Sequence, residues 1–228
     1  MNIIVEAEPE PVEIDVSKTA ILVVDMQNAF VRQGGYFDII GHDVSATGRI
    51  IGPCRKIVST GRQKGIRIIY MQMEYSPEWI DKVEPSYPAR YKSKALSLLR
   101  QNPELRDKLP IHGTWGATII EELYPHQNDI VVQKQKHDGF IGTDLDNILR
   151  SNDIRYLIFT GTATNICVES TLRHAFSLDY FAILIDDAVS QAGPSSNQEA
   201  AIFNVKSVFG WVTTSEKLLK AMETIENP

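Results

Sequence analysis

The fold class of this chain is decided by the stretch Tyr156-Leu-Ile-Phe-Thr-Gly-Thr-Ala-Thr-Asn-Ile-Cys-Val-Glu-Ser-Thr-Leu-Arg-His-Ala-Phe176. Its first five residues are mostly apolar, and so short a run predicts a strand buried on both faces of a sheet. The strand is expected to end before Gly161, and a helix is expected to follow through Phe176. A strand that passes directly into a helix is the building unit of α/β folds.

The same unit repeats on both sides of this stretch. Short apolar runs predict further strands at residues 19–24, 66–71, 129–132 and 180–185. Helical patterns are found at residues 51–64, 115–123, 143–152 (beginning at a Thr143 cap), 199–208 and 215–225. We therefore predict one domain over residues 1–228, a three-layer α/β/α architecture in which helices cover both faces of a mostly parallel sheet.

Two segments do not follow this alternation. Residues 1–17 carry prolines among acidic residues and predict a surface arm. Residues 74–112 are rich in proline and charge, with one short helical pattern at 95–100. Long irregular segments inside compact domains are usually functional, so we predict that residues 74–112 form a lid or loop over the substrate.

Bulk composition excludes several classes of partner. The formal net charge of -6 gives no reason to expect nucleic acid or an anionic membrane. No apolar run approaches the roughly 20 residues of a membrane span, and the N-terminus lacks the pattern of a signal peptide. Two cysteines, Cys54 and Cys167, are too few for a disulfide framework. We expect a cytoplasmic protein that acts on a small molecule.

Three reactive residues follow three of the predicted strands: Asp25, Lys134 and Cys167. Ligands in open parallel sheets bind at the carboxyl ends of the strands, so an acid, an amine and a thiol are expected at one edge. A thiol at the start of a helix is favoured as thiolate by the helix dipole and by exposed N–H groups. These residues indicate nucleophilic catalysis by Cys167, although packing explains each of them when it is taken singly.

Other catalytic signatures are missing from the sequence. It has no Gly-x-Ser-x-Gly turn and no Gly-x-Gly-x-x-Gly phosphate loop. Its histidines form no His-x-x-x-His or Asp-x-His pair. We therefore expect no metal and no cofactor, and we interpret His137 and His174, which lie near the expected site in the sequence, as ordinary surface residues.

Three motifs resemble those of the isochorismatase-like cysteine hydrolase family, in the family's order and across nearly the whole chain. They are Val23-Val-Asp-Met-Gln-Asn-Ala-Phe30, Lys134 ahead of Gly139-Phe140, and Gly161-Thr-Ala-Thr-Asn-Ile-Cys167-Val. The resemblance implies about six parallel strands and a homo-oligomer, a dimer or a tetramer. It also implies that Cys167 is the nucleophile, that Asp25 is the general base and that Lys134 pairs with both. A cis peptide bond between Thr162 and Ala163 is implied too, with the N–H groups of Ala163 and Cys167 facing the oxyanion.

Within the family, the chain most resembles the ureidoacrylate amidohydrolases of pyrimidine degradation. The stretches that carry this resemblance are Gly34-Gly-Tyr36, Lys92-Ser-Lys-Ala-Leu96, Leu149-Arg-Ser151, Cys167-Val-Glu-Ser-Thr-Leu-Arg173, Gln191-Ala-Gly-Pro194, Phe203-Asn204 and Phe209-Gly-Trp211. The chain departs from that branch at Met73-Glu-Tyr75, where an Asn-Gly-Trp-like stretch is expected, and at Lys94, where Asn is expected. The stretch Gln72-Met-Glu-Tyr75 also lacks the Asp-x-His metal site of nicotinamidases.

The resemblance implies hydrolysis of a carbamoyl C–N bond in a small ureido compound, ureidoacrylate first, with biuret, triuret or another N-carbamoyl amide as the alternative. Asp25 is expected to serve both half-reactions, passing the thiol proton to ammonia and then activating water. The expected substrate contacts are Asn28, Phe30, Tyr36, Tyr75, Trp79, Phe140 and Thr162, with Lys94, Arg90 or Lys136 holding any carboxylate. The alternative of another class is a non-catalytic interaction module of the same family.

Overall fold

The computed structural model describes residues 1–82 and 88–225, without the side chains of residues 79, 81, 82, 89 and 90. The strands of this part are β1 (Asn2–Val5), β2 (Val12–Asp15), β3 (Thr19–Val24), β4 (Arg67–Met73), β5 (Ile130–Lys134), β6 (Tyr156–Thr162), β7 (Phe181–Ser190) and β8 (Trp211–Thr213). Six of them form one sheet in the order β5-β4-β3-β6-β7-β8, with parallel pairing throughout. The predicted parallel six-stranded sheet is confirmed.

Helices cover both faces of this sheet. The α-helices of the described part are α1 (Asn28–Val31), α2 (Tyr36–Ile39), α3 (Val44–Arg49), α4 (Ile51–Gln63), α5 (Pro77–Lys82), α6 (Ala89–Lys92), α7 (Lys94–Gln101), α8 (Leu145–Ser151), α9 (Glu169–Ser177), α10 (Ser195–Asn204) and α11 (Ser215–Glu223). Helices α4 and α11 pack together on one face. Right-handed crossovers place α8, α9 and α10 on the opposite face, because the chain there runs the other way across the sheet.

Strand β3 lies at the centre of the sheet and fixes the position of the site. All six of its residues are buried, as expected for a central strand covered on both faces. Its last residue, Val24, pairs with Met71 of β4 and with Gly161 of β6. The carboxyl ends of these three strands are therefore level with one another, and the loops that follow them meet at one edge.

The prediction of a surface arm at residues 1–17 is wrong. These residues form the antiparallel hairpin β1–β2, whose side chains Ile3, Val5 and Ile14 are buried. Glu8 in its turn exchanges backbone hydrogen bonds with Val212 at 2.8 and 2.9 Å. The apolar residues alternate along both strands with the period of two that a half-buried strand requires, and the neighbouring prolines and acids conceal that pattern.

The helix predicted at residues 115–123 is also absent, because only Glu121–Leu123 form a single 3₁₀ turn there. The carbonyls of Gly116 and Thr118 instead accept hydrogen bonds from the start of α1, and the N–H of Ile120 donates to Met26. Backbone groups that form hydrogen bonds with a neighbouring segment cannot also form the hydrogen bonds of a local helix. Smaller shifts occur at α8, which begins two residues after Thr143, and at α10, which ends in a π-helical turn.

The segment predicted as a lid, residues 74–112, contains in its described part the three short α-helices α5, α6 and α7 and a 3₁₀ helix at Pro103–Lys108. Ser93 caps α7 by accepting from the N–H of Leu96. Its hydroxyl also lies 3.2 Å from the hydroxyl of Tyr75, the second residue after β4. The segment is therefore attached to the edge of the sheet at which the loops after β3, β4 and β6 meet.

Candidate active site

A buried ion pair lies at the end of β3. Asp25 is 1% exposed and adopts a left-handed backbone conformation, with φ of 50°. Its Oδ2 accepts from Lys134 Nζ at 2.8 Å, and its Oδ1 accepts from the N–H of Met73 at 3.0 Å. Buried charges need such compensation, and a non-glycine residue at positive φ is uncommon outside constrained sites. The two hydrogen bonds and the backbone conformation therefore hold the Asp25 carboxylate in one orientation.

Lys134 is the last residue of β5, and its side chain is completely buried. Its Nζ also donates to the Lys136 carbonyl at 3.2 Å. Burial disfavours its charged form, but the nearby Asp25 carboxylate and Cys167 outweigh this effect and raise the pKa of Lys134. Lys134 therefore stays protonated, as a fixed positive charge beside the aspartate.

Cys167 lies in the π-helical turn Thr164–Val168, which precedes α9. Burial and the charge of Asp25 raise the pKa of the Cys167 thiol, and Lys134 opposes them. The sequence analysis expected the start of the helix to favour the thiolate. Because the pKa is raised, the resting form is instead the neutral thiol. A neutral thiol needs a base when it attacks, and Asp25 is the carboxylate that interacts with it.

The turn before Cys167 depends on one glycine. Gly161 has a φ of 108°, and a Cβ there would lie 2.1 Å from the Val24 carbonyl oxygen of the adjacent strand. Only glycine allows this close approach. The peptide bond between Thr162 and Ala163 is cis, as the resemblance implies.

Gln27 is a site-supporting residue that the sequence analysis missed. It is fully buried, and its side-chain amide donates to the carbonyls of Met73 and Ala117 at 2.8 and 2.7 Å. Its Oε1 accepts from the same Met73 N–H that Asp25 binds, at 2.8 Å. The amide joins the end of β4 to the loop after β3. A glutamine two residues after a strand-ending aspartate is the only signal that the sequence offers for it.

Cys167 and Asp25 open onto a cavity of about 370 Å³. Five predicted substrate contacts line it, namely Phe30, Tyr36, Tyr75, Lys94 and Thr162, and Ala163 lines it too. Burial raises the pKa of both tyrosines, so their phenols stay neutral. Lining residues that the sequence analysis did not select include Phe37, Ile40, His42, Lys92, Ser93, His137 and Asn197. The cavity therefore combines an aromatic wall with two lysines from the segment 74–112.

The structure does not bring Asn28 or Phe140 to this cavity. The Asn28 amide donates to the Trp115 carbonyl at 2.9 Å, which fixes it to the neighbouring loop. The ring of Phe140 packs on His174 and Tyr180, with centroids 5.0 and 6.1 Å apart. Asn28 and Phe140 were predicted as substrate contacts because they belong to motifs of the family. Membership of a motif does not determine where a side chain points.

Three further candidates remain, namely Trp79, Arg90 and Lys136. Trp79 and Arg90 fall among the side chains outside the described part of the structure. Lys136 is exposed and is absent from the residues that line the cavity. Lys94 is therefore the predicted carboxylate partner that the structure places at the cavity, together with Lys92, which the sequence analysis did not select.

His137 is not the ordinary surface residue that the sequence suggested. Its Nδ1 lies 3.5 Å from Cys167 Sγ, and the ring borders the cavity. His174, the other histidine near the site in sequence, instead contacts Asp138 at 2.6 Å. The signal for His137 was its place three residues after Lys134, in the loop that leaves the end of β5.

Within residues 1–82 and 88–225, no three His, Cys, Asp or Glu side chains come together as metal ligands would. Over the same residues, none of the helices combines the length and apolar character that crossing a membrane requires.

The chain belongs to the isochorismatase family, because the family model described as an isochorismatase domain matches residues 19–217. It is 44% identical to the ureidoacrylate amidohydrolase RutB of Yersinia enterocolitica, over 93% of each chain. It is 45% identical to the protein of the same name from Klebsiella pneumoniae, over 95% of this chain and 92% of the relative.

Two solved structures extend the comparison. A cysteine hydrolase from Pseudomonas syringae is 25% identical with a TM-score of 0.74, and the match covers 93% of this chain and 96% of the other. The N-carbamoylsarcosine amidase of Thermoplasma acidophilum is 26% identical with a TM-score of 0.64, over 87% and 97% of the two chains.

Proposed function

We propose that this protein is a cysteine amidohydrolase that cleaves the carbamoyl C–N bond of ureidoacrylate. The observation that carries the proposal is the meeting of Cys167 and Asp25 in one cavity, with Lys134 bonded to the aspartate. Relatives named ureidoacrylate amidohydrolase at 44% and 45% identity support the choice of substrate. An interaction module would need neither a buried ion pair beside a thiol nor an open cavity above it.

In the first half-reaction, Cys167 gives its proton to Asp25 while Sγ attacks the ureido carbonyl carbon. The S–C bond forms, the C–N bond breaks, and ammonia leaves with the proton from Asp25. Lys134 keeps its charge and holds the carboxylate in place through both transfers. The backbone N–H groups of Ala163 and Cys167 are the proposed donors to the oxyanion, where such donors contribute most.

In the second half-reaction, water attacks the carbonyl carbon of the thiocarbamate on Cys167. The S–C bond breaks, the carbamate leaves, and the thiol is restored. Splitting one difficult hydrolysis into two easier steps is the advantage of a covalent intermediate.

The cavity wall suits an acidic ureide. Phe30, Tyr36 and Tyr75 offer an apolar surface to a flat unsaturated chain, and Lys94 and Lys92 offer positive charge to its carboxylate. Biuret and triuret lack that carboxylate and would offer neither lysine an anionic group. We therefore place ureidoacrylate ahead of the neutral ureides.

The test is ammonia release by the purified protein from ureidoacrylate, biuret, triuret and N-carbamoylsarcosine, each over a range of concentrations. We expect the highest kcat/KM with ureidoacrylate. Faster turnover of a neutral ureide would overturn the substrate and leave the thiol chemistry standing. Release of ammonia from none of the four by a folded protein would overturn the proposed activity.

A further inference from the structure

The cavity above Cys167 has more basic than acidic side chains in its wall. Among the described residues that line it, four are basic, namely His42, Lys92, Lys94 and His137. Over the same residues Asp25 is the only carboxylate, and Lys134 already pairs with it. A cleft lined by one sign of charge concentrates ligands of the opposite sign. The wall therefore suits a substrate that carries an anionic group.

His42 is held at this wall by the helix before it. It follows α2 in the chain and is half-buried, and its backbone N–H donates to the Phe37 carbonyl at 2.9 Å. Its ring packs edge-on against the ring of Phe37, with centroids 4.9 Å apart. The imidazole is thus supported on one side by an aromatic ring while it borders the cavity.

Helix α2 also contacts the start of α7, which carries Lys94. The phenol of Tyr36, the first residue of α2, accepts a hydrogen bond from the backbone N–H of Ala95. Lys94 precedes Ala95, and it lines the same cavity as His42. The contact between the two helices therefore brings a lysine of the segment 74–112 towards the histidine that follows α2.

The charged neighbour of His42 is a cation. Two other histidines, His112 and His174, each contact a carboxylate, at 3.1 and 2.6 Å. For His42, burial and then the charge of Lys94 lower the pKa, so the ring is neutral near pH 7 and donates through one nitrogen. A cation disfavours the protonated form of an imidazole beside it, and an anion that bound both groups would relieve this repulsion.

We propose that His42 and Lys94 form one subsite for the carboxylate of an acidic ureide, with His42 as a specificity-determining residue. This inference rests on the proposed amidohydrolase function and extends it, because the sequence analysis assigned the carboxylate to lysine or arginine side chains alone. Lys94 belongs to the segment 74–112 and His42 to the turn after α2. A bound carboxylate therefore links that segment to the body of the domain, which a neutral ureide cannot do.

The first test is steady-state ammonia release by His42→Leu, with His126→Leu as the matched control. Leucine keeps an apolar contact with Phe37 and removes the donor, and His126 is exposed and lines a different surface cavity. One hydrogen bond to the carboxylate contributes about twofold to tenfold in affinity. We expect KM for ureidoacrylate to rise by that factor in His42→Leu with kcat unchanged, because the carboxylate is bound equally in the ground and transition states. Biuret should be hydrolysed by His42→Leu as by the wild type.

The second test follows the ring itself, by NMR titration of the histidines in Cys167→Ala, with His42→Leu to assign the signal. A bound carboxylate stabilises the protonated imidazole, so ureidoacrylate should raise the pKa of His42. By linkage, the Kd of ureidoacrylate should decrease as pH falls through that pKa, and the added His42→Leu exchange should abolish this dependence. Lys94→Met should raise the pKa of His42 even without ligand, since a neighbouring positive charge is lost.

The outcomes separate the subsite from the activity. A pKa of His42 that ureidoacrylate leaves unchanged would overturn the subsite, as would equal KM changes for ureidoacrylate and biuret in folded His42→Leu. A wild type that releases no ammonia would overturn the proposed function. If Cys167→Ala still bound ureidoacrylate with a raised pKa of His42, the subsite would stand without that function.

Discussion

The two cysteines of this protein are both buried, yet their surroundings differ in kind. Cys54 lies inside α4, is 0% exposed, and its Sγ donates to the Ala188 carbonyl at 3.3 Å. Burial raises its pKa to about 12. Cys167 is 6% exposed and meets Lys134, Asp25 and the His137 ring at the wall of a cavity.

Burial alone does not distinguish the two thiols, since it raises the pKa of both. Two features separate them, namely a carboxylate that can take the proton and space for a substrate above the sulfur. A low resting pKa is one way to activate a thiol, and the proposed mechanism uses the other, in which a base acts during the attack.

The largest effect should come from exchanging each thiol for a hydroxyl. Cys167→Ser is expected to lower kcat with ureidoacrylate by several orders of magnitude, because a serine hydroxyl is far less acidic and far less nucleophilic than a thiol. Cys54→Ser keeps a donor for the Ala188 carbonyl and should retain turnover near wild type. Steady-state ammonia release measures both, with circular dichroism to establish the fold. Wild-type turnover in Cys167→Ser would remove the distinction between the two cysteines.

The second-largest effect should come from removing the charge of Lys134, which interacts with Cys167. Lys134→Met leaves the Asp25 carboxylate buried without its counter-charge, and breaking such a pair costs about 3–5 kcal/mol of unfolding free energy. The control is Lys18→Met, which removes an exposed pair with Asp153 and should cost about 0–1 kcal/mol. Urea unfolding of both variants compares them.

The double variant Asp25→Asn, Lys134→Met should recover most of the lost stability and none of the activity, since no uncompensated charge remains. If Lys134→Met costs no more than Lys18→Met, the buried pair does not carry the charges assigned to it.

The sequence located the three strand ends to which we assign the chemistry, because continuous apolar runs mark central strands and the residues after each run lie near the sheet edge. Asp25, Lys134 and Cys167 could therefore be selected before any coordinates. The resemblance supplied the roles proposed for them and the cis bond.

The remaining features depend on contacts between segments that the sequence does not reveal. His137 reaches Cys167 through the link from Thr171 to Gly139. Gln27 could be recognised only once its contacts with Met73 and Ala117 were known. Asn28 was wrongly predicted to contact the substrate for the same reason, since its side chain donates a hydrogen bond to the Trp115 carbonyl instead. The single domain, the oligomer and the cytoplasmic location stay predictions.

The smallest effect concerns Lys94, which lines the cavity and stands in place of the asparagine expected in the ureidoacrylate branch. A charge-assisted hydrogen bond contributes roughly 1.5–3 kcal/mol, and because Lys94 is exposed, screening favours the lower figure. Lys94→Met should therefore reduce kcat/KM for ureidoacrylate by about tenfold. Neutral biuret, which offers no carboxylate, serves as the matched control and should be spared. Lys92→Met tests the neighbouring cation in the same assay. A loss with Lys92→Met alone would transfer the role to that residue, and equal losses on both substrates would show that Lys94 does not bind the carboxylate.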